Sequence, residues 1–74
     1  MTIFDLLYVM DFQPYDVVIH NDAWVDDDRD EIIRGEVCDI TRSDEYDNLQ
    51  YEEVTDVYTE SNGTIHICFN NEDY

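Results

Sequence analysis

Twenty carboxylates face three arginines (Arg29, Arg34, Arg42) and no lysine, so this 74-residue chain carries a formal charge of −17. That imbalance bears on every fold the chain can adopt, because self-repulsion at such a density weakens a compact state. A small designed domain usually carries a charge of magnitude roughly 2–8, so solubility alone does not call for this many acids. Against the repulsion stands an apolar fraction of 43%, with six Tyr, three Phe and one Trp. This is more apolar and more aromatic than a disordered acidic tail, which lacks the burial to offset chain entropy. The reading is a single folded domain over 1–74, hiding about 60–65% of its unfolded surface and therefore thin in its core.

The pattern of apolar residues divides the chain. Thr2-Ile3-Phe4-Asp5 has the form of a capping box, and Ile3, Leu6, Leu7 and Met10 follow as one helical stripe. Pro14 bars extension, which places a helix at about 2–11. Beyond it the signal turns to β. Residues 15–20 are rich in β-branched side chains, with Val17 and Ile19 sharing a face. The acidic stretch 21–30 reads as a hairpin connection with a short extended piece at 23–25. A second strand is expected at 31–38, with Ile33 and Val37 on one side and Gly35 marking a bulge or a close backbone approach. Residues 41–50 suit a helical turn or a loop equally. Strands at 54–59 and 64–69 flank Asn62-Gly63, a tight-hairpin signal; Ile65, Ile67 and Phe69 alternate with Thr64, His66 and Cys68. The tail 70–74 reads as frayed. The expected fold class is α+β, an N-terminal helix packed on a four-stranded, mainly antiparallel sheet in two layers.

Several function classes lose support. Residues 1–10 lack a positive n-region and a long apolar run, so neither a secretion signal nor a membrane span is expected; anionic lipid would repel the chain. Two cysteines, Cys38 and Cys68, read as reduced thiols of a cytoplasmic protein. With His20 and His66 they supply the types of ligand for zinc, yet no pair has the usual spacing, so they read as ordinary strand residues. Asp26-x-Asp28-x-Asp30 opens like a calcium loop, but Glu31 stands where glycine is needed and Val37 where a bidentate Glu is needed. Ser43 and Ser61 lie outside any nucleophile elbow, and two glycines cannot build a phosphate loop. A catalytic carboxyl needs a pocket that raises its pKa, which a thin core does not supply. The expectation is a non-enzyme without cofactor or metal.

The carboxylates themselves are the candidate chemistry. Asp26, Asp27, Asp28, Asp30 and Glu31 form the densest run. Asp44, Glu45, Asp47, Glu52, Glu53 and Asp56 form a second patch. Residues i and i+2 of a strand lie about 6.5–7 Å apart on one face, near the spacing of successive phosphates. Such rows suit the Lys/Arg lining of a nucleic-acid channel, which gains affinity by charge neutralisation and attracts anions by steering. Specificity would come from interleaved aromatics, Trp24 as anchor with Tyr46, Tyr51 and Tyr58.

Met1-Thr-Ile-Phe-Asp-Leu-Leu-Tyr-Val-Met-Asp-Phe12 resembles the opening of small acidic proteins encoded by phages and mobile elements of Firmicutes. Asp16-Val-Val-Ile19, Glu31-Ile-Ile-Arg-Gly-Glu-Val-Cys-Asp-Ile40 and Gly63-Thr-Ile-His-Ile67 continue the likeness, over about two-thirds of the chain. In size and charge the chain also resembles anti-CRISPR inhibitors, several of which mimic DNA in the site that reads the protospacer-adjacent motif. The resemblance implies an acidic DNA mimic in the host cytoplasm that binds a basic nucleic-acid-binding protein, such as a CRISPR effector nuclease, and not nucleic acid itself. A phage adaptor or assembly protein that joins its partner by strand addition or an aromatic patch is the alternative. Homodimerisation would cover apolar surface left by a thin core.

Overall fold

Thr2 starts the first helix by closing the reciprocal pair its sequence promises. Its Oγ1 accepts from the Asp5 amide at 3.2 Å, and the Asp5 carboxylate accepts from the Thr2 amide at 3.0 Å. The computed structural model describes residues 1–10, 15–24 and 30–74, and α1 spans Ile3–Val9. Helix-start amides lack intrahelical acceptors; here those of Ile3 and Phe4 donate to the carbonyls of Glu52 and Gln50, at 2.9 and 3.1 Å. The helix is thereby stitched to the 50–54 segment. Its stripe behaves as the spacing predicts: Ile3 and Leu7 are buried, and Leu6 and Met10 pack against the core edge.

Four strands form one sheet: β1 Asp16–Asn21, β2 Glu31–Glu36, β3 Asp56–Thr59 and β4 Ile65–Phe69. Their order is β2-β1-β4-β3. The β1/β2 and β3/β4 pairs are antiparallel, and the central β1/β4 pair is parallel. From the β2 edge the chain crosses through α2 (Val37–Thr41) and α3 (Tyr46–Leu49) to the opposite edge, β3. It then returns through a hairpin into the middle, which is how a parallel pair forms without consecutive strands. Val17, Ile19, Ile67 and Phe69 line one face. Ile3, Leu7, Val37, Ile40, Tyr46 and Leu49 of the three helices close over it as a single core. The expected α+β fold, a helix on a four-stranded, mostly antiparallel sheet, is the fold observed.

Local departures have identifiable causes. The second strand stops at Glu36, because Val37 and Ile40 bury at helical i,i+3 spacing in α2; the pattern of Ile33 and Val37 also fits a strand, and the core decides between them. The bulge lies at Ile19/His20, not at Gly35. Gly35 instead has φ +153° beside α2, where an added Cβ would sit 3.5 Å from Asp39 Cβ. Asp22–Trp24 is a 3-10 turn, not an extended piece; the first helix ends at Val9 with Met10 as its C-cap, short of the expected residue 11, which lies outside the described residues, as does Val25. Of the two options for 41–50, α3 is realised, with Tyr46 and Leu49 in the core. The tail is not frayed: Tyr74 packs on the core, its ring edge-on to Phe69 at 5.3 Å and tilted against Trp24 at 5.9 Å. Among the described residues no helix is long and apolar enough to cross a membrane.

Candidate functional site

The strand period of two assigns the second sheet face without help from the helices. Val18 and His20 of β1, His66 and Cys68 of β4, Arg34 opposite Val18, and Tyr58 and Asp56 opposite His66 and Cys68 all project there. Among the described residues no α-helix packs on this face, yet Val18, His66 and Cys68 are buried.

At its centre two imidazoles meet. His20 Nε2 and His66 Nδ1 are 2.7 Å apart. The ring centroids lie 5.0 Å apart with planes 16° from parallel. That separation is about the N···N distance plus two ring radii, so the rings lie edge to edge and the N–H of one points along the lone pair of the other. His66 Nε2 reaches Glu60 Oε1 at 2.5 Å, His20 Nδ1 lies 3.5 Å from Asp30 Oδ2, and Tyr58 stacks flat on His66 with centroids 4.6 Å apart. The result is a chain, Asp30–His20–His66–Glu60, across the β1/β4 seam. Burial first, then Asp22 and Asp56, pushes the Cys68 thiol up to about 11, which keeps it protonated and unreactive at neutral pH.

The four zinc-type ligands do not gather. Cys38 is exposed on α2 next to Glu36, away from the imidazole pair. A zinc ion bound through both inner nitrogens needs bonds of about 2.0–2.1 Å each, more room than the in-line 2.7 Å gap provides.

A second acidic locus lies on the other side of the molecule. Glu45, Asn48, Glu52, Asn71, Asp73 and Tyr74 line an open pocket of about 520 Å³. The Tyr74 hydroxyl donates to Glu45, and Asn71 Nδ2 donates to Glu52 at 2.8 Å. Burial first, then the Glu45 hydrogen bond, raises the Tyr74 phenol.

The residues singled out in the sequence divide accordingly. Asp26, Asp27 and Asp28 lie outside the described residues. Asp30 is half-buried against His20, and Glu31 is held by Arg34 at 2.6 Å. The second patch is not one surface: Glu45 and Glu52 belong to the pocket, whereas Asp56 belongs to the imidazole face with Asp22. Glu53 pairs with the Met1 ammonium at 3.0 Å, and Asp44 and Asp47 are exposed around α3. None of the described carboxylates is buried, and only Asp30, Glu45 and Glu52 are partly covered. Among the aromatics, Tyr46 is a core residue, Trp24 is half-buried, and Tyr51 and Tyr58 are exposed. The imidazole chain was missed because its members are 46 residues apart. Strand alternation puts His66 and Cys68 on one face, but placing His20 beside them requires the parallel β1/β4 register.

Compared with protein-family models, curated proteins and solved structures, the chain matches none.

Proposed function

We propose that this protein is an acidic decoy: it occupies the cationic nucleic-acid-binding surface of a partner protein and keeps nucleic acid out. The observation that carries the reading is the display of charge. Seventeen net negative charges ride on a body whose longest axis is 31 Å, one per about 1.8 Å of axis, against about 1.7 Å for duplex DNA. The described acids all reach solvent at least in part, where a Lys/Arg groove can meet them. A CRISPR effector nuclease is the partner class suggested by the resemblance.

The test is competition. The purified chain should displace a labelled duplex from a basic nucleic-acid-binding protein. Replacing Asp26, Asp27 and Asp28 with Asn should weaken that displacement at least about tenfold, since close interfacial charge pairs couple by about 1.5 kcal/mol or more. Failure of the wild-type chain to displace duplex from any basic partner refutes the reading.

A second reading, an adaptor that binds by strand addition, is favoured by β3. It is an edge strand, and all four of its residues are exposed. Proline at Tyr58, with binding insensitive to salt, would distinguish it from the decoy.

A further inference from the structure

We propose that a pocket formed by the three helices seats an arginine side chain of the protein this chain binds. The inference rests on the decoy reading and gives it a point of recognition beyond bulk charge. Phe4, Leu7 and Tyr8 of α1, Thr41 of α2 and Tyr46 of α3 line the pocket, whose volume is about 220 Å³. That is below the about 300–1,000 Å³ of sites that take a whole small molecule, and it suits a single side chain.

Tyr46 is the residue that calls for an occupant. It is only 9% exposed, yet among the described residues its hydroxyl has no hydrogen-bond partner. Burial raises the phenol and no hydrogen bond contributes, in keeping with that isolation. Every fully buried side-chain oxygen and nitrogen of the described residues is hydrogen-bonded. The free hydroxyl therefore marks where Tyr46 opens to solvent, and this pocket is an opening it lines. A phenol oxygen so placed can accept from whatever enters.

The remaining lining selects among occupants. Phe4 and Tyr8, four residues apart on α1, stack with centroids 6.0 Å apart and planes 29° from parallel, and both stay exposed. Their open ring surface attracts a cation, while Leu7 offers an apolar floor to a methylene stem. A purely apolar side chain would seal the Tyr46 hydroxyl without a partner, which is costly. An acidic one meets a chain of net charge −17. Among the sequence neighbours of the lining residues, Arg42 opposes a cation, whereas Asp5, Glu45 and Asp47 attract one. Arginine satisfies every requirement: its planar guanidinium stacks on aromatic rings, is more weakly hydrated than an ammonium, and carries donors for the phenol oxygen.

The experiment titrates the full chain with hexa-arginine and, separately, hexa-lysine at physiological salt, about 0.15 M. Carbon-detected spectra follow the Leu7 and Thr41 methyls and the Tyr46 ring. Hexa-arginine should bind more tightly than hexa-lysine and should move all three sets of signals. Tyr46→Phe and Tyr8→Ala preserve net charge, and neither removes a hydrogen bond within the fold; each should weaken hexa-arginine by about threefold or more and leave hexa-lysine unchanged. Tyr46→Phe should also keep the urea midpoint of the wild type. An arginine preference that is the same in wild type and both variants overturns the proposal, as do pocket signals that stay still at saturation or failure of hexa-arginine to bind. Displacement of duplex by the wild-type chain is scored apart. If displacement holds while the arginine preference ignores both variants, the pocket assignment falls alone. If displacement is absent while the variants behave as expected, the decoy reading falls and the arginine seat stands.

Discussion

Cys68 and Cys38 show how position in the sheet decides chemistry at the residue scale. The Cys68 thiol is buried and pushed up to about 11 by desolvation first and by Asp22 next, whereas Cys38 is exposed on α2. Iodoacetamide at pH 8 should therefore add to Cys38 alone in the folded protein and to both cysteines after denaturation, as counted by mass spectrometry. Thr2 and Asp5 allow a test of linkage. Hydrogen bonds from Thr2, the backbone one foremost, hold the Asp5 carboxyl below its ordinary 3.8. A group depressed on folding stabilises the native state above its unfolded value, and that contribution is lost as pH falls through the folded value. Thr2→Ala should cost about 1 kcal/mol at pH 7, read from urea unfolding. The difference between Asp5→Ala and wild type should shrink once the pH drops below the ordinary carboxylate range.

Turn chemistry and docking govern the elements. The β3/β4 hairpin turns through Ser61-Asn62-Gly63, where the Gly63 amide donates to the Glu60 carbonyl at 3.0 Å and Gly63 takes φ +93°. That is a hydrogen-bonded β-turn closed by a glycine in the left-handed region, so Gly63→Ala should destabilise by about 1–2 kcal/mol in thermal unfolding, although open space surrounds the site. This hairpin, α1 and the alternation of β4 were legible in the sequence because each is specified by residues close together in the chain. The end of β2 was not, because Val37 fits a strand face or a helix face and only Ile40 and the distant core choose. Nor was the docking of Tyr74, which depends on Phe69 and Trp24 presenting their rings to it. The candidate surface was legible as a tally of acids but not as geometry. One linear patch over 44–56 becomes two loci on different sides once α3 and β3 take their places.

For the whole molecule, a thin core and a large like charge oppose each other. The scaffold folds because its apolar residues gather under three short helices, and it does so against repulsion that screening relieves. Added salt should therefore raise the unfolding midpoint of the isolated chain, whereas the same salt should weaken its hold on a cationic partner. Opposite signs in the two assays would separate an electrostatic decoy from a protein merely perturbed by ionic strength. The most direct measurement of the central claim is the dissociation constant with a basic nucleic-acid-binding protein, taken across a salt series with and without competing duplex. The account predicts an affinity that falls steeply as salt rises and that duplex and chain displace each other. Affinity unchanged by salt, or a ternary complex in which duplex and chain bind together, would contradict it.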